Sequence, residues 1–148
     1  MNHYAEGLRA FAQGKLELAI THFSDAIASG DNVANAHSKR GVSRLRLGDP
    51  VAAEGDFRAA LAADDRCLSA IVNLGNLMLE RDDRAAARVF YDRALRIDET
   101  YAVAHYNLGV LLRREGDIAA SVRELRLAAK YEARPSATRT RLSFWKRR

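Results

Sequence analysis

The chain has 148 residues, 48% hydrophobic and 29% charged, which suits one ordinary domain with a real core. A single cysteine, Cys67, excludes an internal disulfide or a multi-cysteine metal site, and Glu6, Arg9, Lys15, Glu17 and Asp25 interrupt any apolar run that a signal peptide or membrane span would need near the start, so the expectation is a soluble, cytoplasmic protein. The net charge of +5 is uneven: Arg134, Arg139, Arg141, Lys146, Arg147 and Arg148, with no acid among them, carry +6 and leave −1 for the rest.

In chain order, the same pattern returns at one fixed interval. Residues 1–33 hold Gly7, then the polar pair Gly14-Lys15, then Ala19, Phe23 and Ala26. Residues 34–67 hold Gly41, then Gly48-Asp49-Pro50, then Ala53, Phe57 and Ala60. Residues 68–101 give Gly75, Asp82-Asp83, Ala87, Tyr91 and Ala94, and residues 102–135 give Gly109, Gly116-Asp117, Ser121, Leu125 and Ala128. Glycines at 7, 41, 75 and 109 set a period of thirty-four, with four copies and no strand-like alternation. A fixed period of this length predicts a stacked helical array.

Each copy predicts two helices. In the third, Ile71, Leu74, Gly75 and Met78 share one face of a first helix, and Ala87, Val89, Phe90, Ala94, Leu95 and Ile97 are assigned to the packing face of a second. The polar pairs between them are short turns. Asp49, Asp83 and Asp117 are placed as N-caps of the second helices, and Pro50 follows where a missing N–H costs nothing. Glycine and alanine stand where helix axes cross closely.

On these residues the chain resembles the tetratricopeptide repeat family, whose 34-residue unit reads W-x2-L-G-x2-Y, then A-x3-F, then P. Leu74-Gly75 and Leu108-Gly109 match the first helix; Ala19-x3-Phe23, Ala53-x3-Phe57 and Ala87-x3-Tyr91 match the second. The Trp column instead holds His3, His37, Ile71 and His105; the Pro column holds Asp31, Asp65, Glu99 and Ala133; and the Leu column is polar at Glu6 and Arg40. These departures are expected to weaken packing locally. The resemblance implies an all-α fold, an α-solenoid (right-handed superhelix) of four repeats over residues 1–135, followed by a basic C-terminal capping helix or tail over 136–148.

Candidate chemistry is sparse. His3, His37 and His105 share a column, but equivalent helices of neighbouring repeats lie roughly 8 to 10 Å apart, whereas zinc needs nitrogens about 2.1 Å from one centre. They are read as packing positions, and no metal or cofactor is expected. Cys67 has no motif partner, no G-x-x-x-x-G-K-[ST] loop is present, and the aspartates have capping or junction roles, so no enzymatic activity or small-molecule substrate is expected.

Function is therefore sought on the surface. With each repeat's glycine at position 8, the packing stripe is 4, 8 and 11, and positions 2, 6, 9 and 13 point the opposite way. In the family that opposite stripe lines a concave groove for peptide segments of partner proteins. Carried over, it comprises Lys39, Val42, Arg46, Asn73, Asn76, Val103, Asn107, Val110 and Arg114. A side-chain amide donates and accepts, so the asparagines suit the backbone of an extended peptide. Some members hold chaperone C-terminal carboxylates through a Lys and Asn clamp; Tyr4, Leu8, Lys39, Ser69 and Asn73 do not reproduce it.

The resulting expectation is a non-catalytic interaction module or scaffold that binds a peptide segment of another protein, with self-association left open. One rival is a secretion-type chaperone shielding an apolar client segment, for which Leu8, Val42, Val103 and Val110 speak. The other is nucleic-acid or anionic-membrane binding through the basic tail.

In that tail the period lands on Ser143, with Leu142 in the Leu column and Pro135 at a helix entry, so residues 136 to about 147 are expected to form a helix covering the fourth repeat. Deleting 136–148 should then lower the melting temperature and cause self-association through bared apolar surface. Unchanged melting, with loss of a salt-sensitive interaction, would instead identify a free basic arm.

Overall fold

The computed structural model describes residues 2–133, which leaves the expected capping helix over 136–147 outside the described residues. The described residues form eight α-helices and no strand: α1 His3–Ala12, α2 Leu16–Ser29, α3 Val33–Arg46, α4 Pro50–Ala63, α5 Leu68–Glu80, α6 Arg84–Ile97, α7 Ala102–Arg114 and α8 Ile118–Glu132. None is long and apolar enough to cross a membrane. The chain divides into two compact units, Met1–Leu77 and Met78–Arg148, so the boundary falls within α5.

The turns inside the helix pairs follow from local chemistry. Asp49, Asp83 and Asp117 accept hydrogen bonds from the backbone N–H of Ala52, Ala86 and Ala120, each at 3.1 Å, so all three act as the expected N-caps. The residue before each cap is left-handed: Gly48 and Gly116 at φ 86°, and Asp82 at φ 59°. Aspartate is one of the few side chains that visits this region routinely, which lets the third turn close without glycine. The first turn has Lys15 in the cap position and no side-chain cap.

Within the first unit, helices are held together by side chains seated on glycine. A Cβ at Gly7 would stand 2.5 Å from Phe23 Cε1, and one at Gly41 would stand 2.7 Å from Phe57 Cε1. Phe23 and Phe57 are completely buried, as are Ala19, Ala26, Ala53 and Ala60 beside them. The Tyr4 ring meets Phe23 at 5.9 Å between centroids, tilted by 49°. α3 packs against both α4 and α2, with a smaller contact to α1.

Within the second unit, α7 packs against α8 and α6. There Leu125 fills the place of the missing side chain of Gly109, 2.9 Å from where a Cβ would be. Ser121 Oγ donates to the carbonyl of Gly109 at 2.7 Å, so the small residue brings the backbone of one helix within reach of the other. Ala87 and Ala94 are fully buried, but Val89 is 63% exposed, contrary to its assignment to the packing face. Two residues turn an α-helix through about 200°, so Val89 cannot share the direction of Ala87.

The two kinds of helical glycine separate cleanly. Gly41→Ala must displace the buried Phe57 ring and should destabilise the protein by about 1 to 3 kcal/mol. At Gly55 in α4 a Cβ would meet nothing within 4 Å, so Gly55→Ala should stabilise it by roughly 0.5 to 1 kcal/mol. Urea denaturation of both variants checks the contrast; a loss of stability in each would contradict this packing.

Candidate functional site

In the first unit the expected groove residues of α3 meet Phe11 of α1, which lies outside the expected stripe. Lys39 Nζ lies 5.3 Å and Arg46 Cζ 4.5 Å from the centre of the Phe11 ring. Both distances are within cation–π range. Lys39, Val42 and Arg46 recur at three and four along α3, so they follow one side of the helix. Lys39, Val42 and Phe11 are half-buried, and Arg46 is exposed. Phe11 lies three positions beyond Leu8 and one before Ala12, at the border between the two stripes, which is the signal that would have found it. Asn73 is half-buried.

In the second unit Val103 and Val110 are half-buried, Arg114 is exposed, and its carbonyl accepts from Arg84 Nη1 at 3.2 Å. Burial pushes the Tyr91 hydroxyl well above the usual tyrosine range, against the opposite pull of Arg114, so Tyr91 stays neutral.

Two asparagines differ from expectation. Asn76 and Asn107 are each only 3% exposed, although both were placed on an open stripe. For Asn107 the reason is visible in α7, which has neighbours in α6 and α8 and buries Ala104, His105, Asn107, Leu108, Gly109, Leu111 and Leu112. A helix covered from two directions has more than one packing stripe. The Asn107 side-chain NH2 is buried without a hydrogen-bond partner. Such a donor carries a desolvation cost that an incoming acceptor would relieve.

The polar departures of the second repeat form a network. Asp56, 3% exposed, accepts from Arg40 Nη2 at 2.7 Å and Nε at 3.1 Å, and from Arg44 Nη1 at 2.8 Å, with His37 Nδ1 at 3.4 Å. Arg40 Nη1 also donates to Ser24 Oγ at 3.0 Å. Asp56 is therefore neither a cap nor a junction residue, and Arg40 does not simply weaken the packing. It replaces an apolar contact with a charge-assisted one.

The column histidines each have their own surroundings. His105 Nδ1 lies 2.7 Å from Glu124 Oε2 and Nε2 lies 2.8 Å from the Glu99 carbonyl, while its ring meets Tyr131 at 5.4 Å between centroids, tilted by 33°. His37 faces Asp56. His3 faces His22 and Asp25.

Comparison with known proteins agrees with this architecture. The tetratricopeptide repeat profile matches residues 4–66 and 38–102. No curated protein matches the sequence. Among solved structures, a crystal structure of MamA is 21% identical over 85% of this chain and 74% of its own, with a TM-score of 0.66. YrrB, described as a TPR protein with an unusual peptide-binding site, is 18% identical over 88% and 67%, with a TM-score of 0.66. The first TPR of Spaghetti (RPAP3), bound to the HSP90 peptide SRMEEVD, is 19% identical over 89% and 91%, with a TM-score of 0.62. At these identities the likeness is one of fold.

The charge network has a measurable weight. Asp56→Ala leaves the Arg40 and Arg44 cations unpaired at a site that is mostly out of water, so it should cost about 3 kcal/mol in stability. Glu6→Ala, which removes the partner of the exposed Arg9, should cost under ~0.5 kcal/mol. Chemical denaturation of the two variants makes the comparison.

Proposed function

Because the chain belongs to the tetratricopeptide repeat family, we propose that it is a non-catalytic interaction module whose first-helix residues bind an extended, acidic peptide segment of another protein. The observation that carries this reading is the convergence of Lys39, Arg46 and Phe11. The ring spaces two cations along α3 and holds their side chains in place, which reduces the entropy lost when a carboxylate is bound. Val42 between them supplies an apolar contact for a peptide side chain. Asn73, half-buried on α5, offers a hydrogen bond to peptide backbone.

The neighbours support the ligand class. The peptide held by the Spaghetti (RPAP3) repeat, SRMEEVD, has three acidic side chains against one basic one, and YrrB is described as having a peptide-binding site. The Lys and Asn clamp by which some family members hold chaperone tails is not reproduced at Tyr4, Leu8, Lys39, Ser69 and Asn73, so the proposal concerns acidic segments and not a chaperone tail as such.

Fluorescence anisotropy with extended Glu- and Asp-rich peptides, against Lys-rich peptides of equal length, tests this. Each charge-assisted hydrogen bond lost should weaken binding by roughly 1.5 to 3 kcal/mol, so Lys39→Glu with Arg46→Glu should weaken it at least tenfold. The melting temperature of the reversed variant is measured alongside, so that a loss of fold is told apart from a loss of binding. Equal binding by the reversed variant, or no preference for acidic peptides, would sink the proposal. If affinity instead disappears on deleting residues 136–148, the basic tail is the binding element.

A further inference from the structure

A cluster in the first helix pair has chemistry that neither packing nor peptide binding uses. His3 opens α1, and His22 and Asp25 stand one turn apart on α2, so the three converge from two helices. One ring nitrogen from each histidine and one carboxylate oxygen of Asp25 lie within 4.8 Å of one another. The Nδ1 atoms of His3 and His22 are both buried and neither has a hydrogen-bond partner. Buried imidazole nitrogens normally find a partner, so two such histidines converging on a carboxylate point to a missing third party.

We propose that His3, His22 and Asp25 bind a divalent transition-metal ion of the zinc type, which fastens α1 to α2. The donor set selects this class: imidazole suits zinc, copper, iron and nickel, whereas calcium and magnesium prefer all-oxygen sites. Bonds of about 2.0 to 2.1 Å in a tetrahedron place ligand atoms roughly 3.4 Å apart. Closing the cluster from 4.8 Å to that spacing calls for χ rotations of the histidines and the aspartate. A His and a carboxylate three residues apart on one helix, completed by a ligand from another helix, is a workable geometry for a metal between helices. Asp25 is exposed, so a fourth position faces water, and the half-buried histidines shelter the other side. The ion would take one nitrogen of each histidine and would cross-link residues nineteen apart in sequence, His3 and His22.

This site differs from the histidine column. His3 is its one column member, and the other ligands come from the second helix of the same repeat. A His-x-x-Asp spacing was present in the sequence, but only the packing of α1 on α2 brings His3 to it.

The full-length, metal-stripped protein is titrated with Zn2+ by calorimetry at neutral pH, with Co2+ absorption as a second readout and Mg2+ as control. One Zn2+ should bind per chain with micromolar or tighter affinity and raise the melting temperature, Co2+ should show a ligand-field spectrum, and Mg2+ should do neither. His3→Ala and His22→Ala should each weaken Zn2+ binding at least tenfold and abolish the thermal shift, with a smaller loss for Asp25→Asn. Cys67→Ser should leave binding unchanged. His3 lies in the first turn of α1, so its variant keeps the fold; His22→Gln provides a second variant of similar size. Absence of binding at micromolar Zn2+, binding that persists in both histidine variants, or zinc-dependent dimers in sedimentation that account for all the bound metal would each overturn the proposal.

Discussion

The contact on which the first, second and fourth helix hairpins depend is a bulky side chain resting where a Cβ is absent. Phe23 on Gly7, Phe57 on Gly41 and Leu125 on Gly109 are the same contact at equivalent places in three repeats. A methyl group at any of these glycines would enter the neighbouring side chain, so the interaxial distance is set by the glycine and the crossing is filled by its partner. The buried alanines of the second helices extend this close approach along the hairpin. Once the two axes are fixed, the remaining residues of each first helix have no freedom over which way they face. Placement of His3 near His22 follows from that, and Phe11 meets Lys39 and Arg46 through the packing of α3 on α1 and α2.

Charge modifies this scheme in the second repeat. Arg40 occupies a column that the family fills with leucine, and Asp56 meets it from α4 almost completely out of water. Desolvating such a pair consumes most of its Coulomb attraction, so the network adds less net stability than an apolar pair of similar volume would. It adds direction. A carboxylate with two guanidinium groups and an imidazole around it tolerates few alternative arrangements of α3 on α4, whereas leucine side chains slide more readily.

The fold was legible because its signals are local or strictly periodic. Thirty-four-residue spacing repeats the hairpin, while glycine against phenylalanine and aspartate before three of the four second helices act within one, and the structure shows them at Gly41, Phe57 and Asp49. What escaped were properties that depend on a third element. A helical wheel drawn for one neighbour puts Asn107 in solvent, but α7 has two neighbours and covers it. The role of Asp56 required knowing that Arg40, Arg44 and His37 approach it from one direction of α3. Val89 is a plainer error, since the 3.6-residue period already excluded it from the face of Ala87.

Arg40 also ties neighbouring hairpins together. From α3 it reaches Ser24 of α2 with one guanidinium nitrogen and Asp56 of α4 with two others, so a single side chain spans the second helix of one repeat and both helices of the next. In a linear array, where stability is a sum of repeat and nearest-neighbour terms, such a bridge strengthens the coupling between adjacent repeats. Fraying of the first hairpin would strip Arg40 of a partner that solvent only partly replaces, which penalises a half-melted state. The first two repeats should therefore open as one cooperative block in native-state hydrogen exchange, with α1 to α4 sharing a common protection free energy.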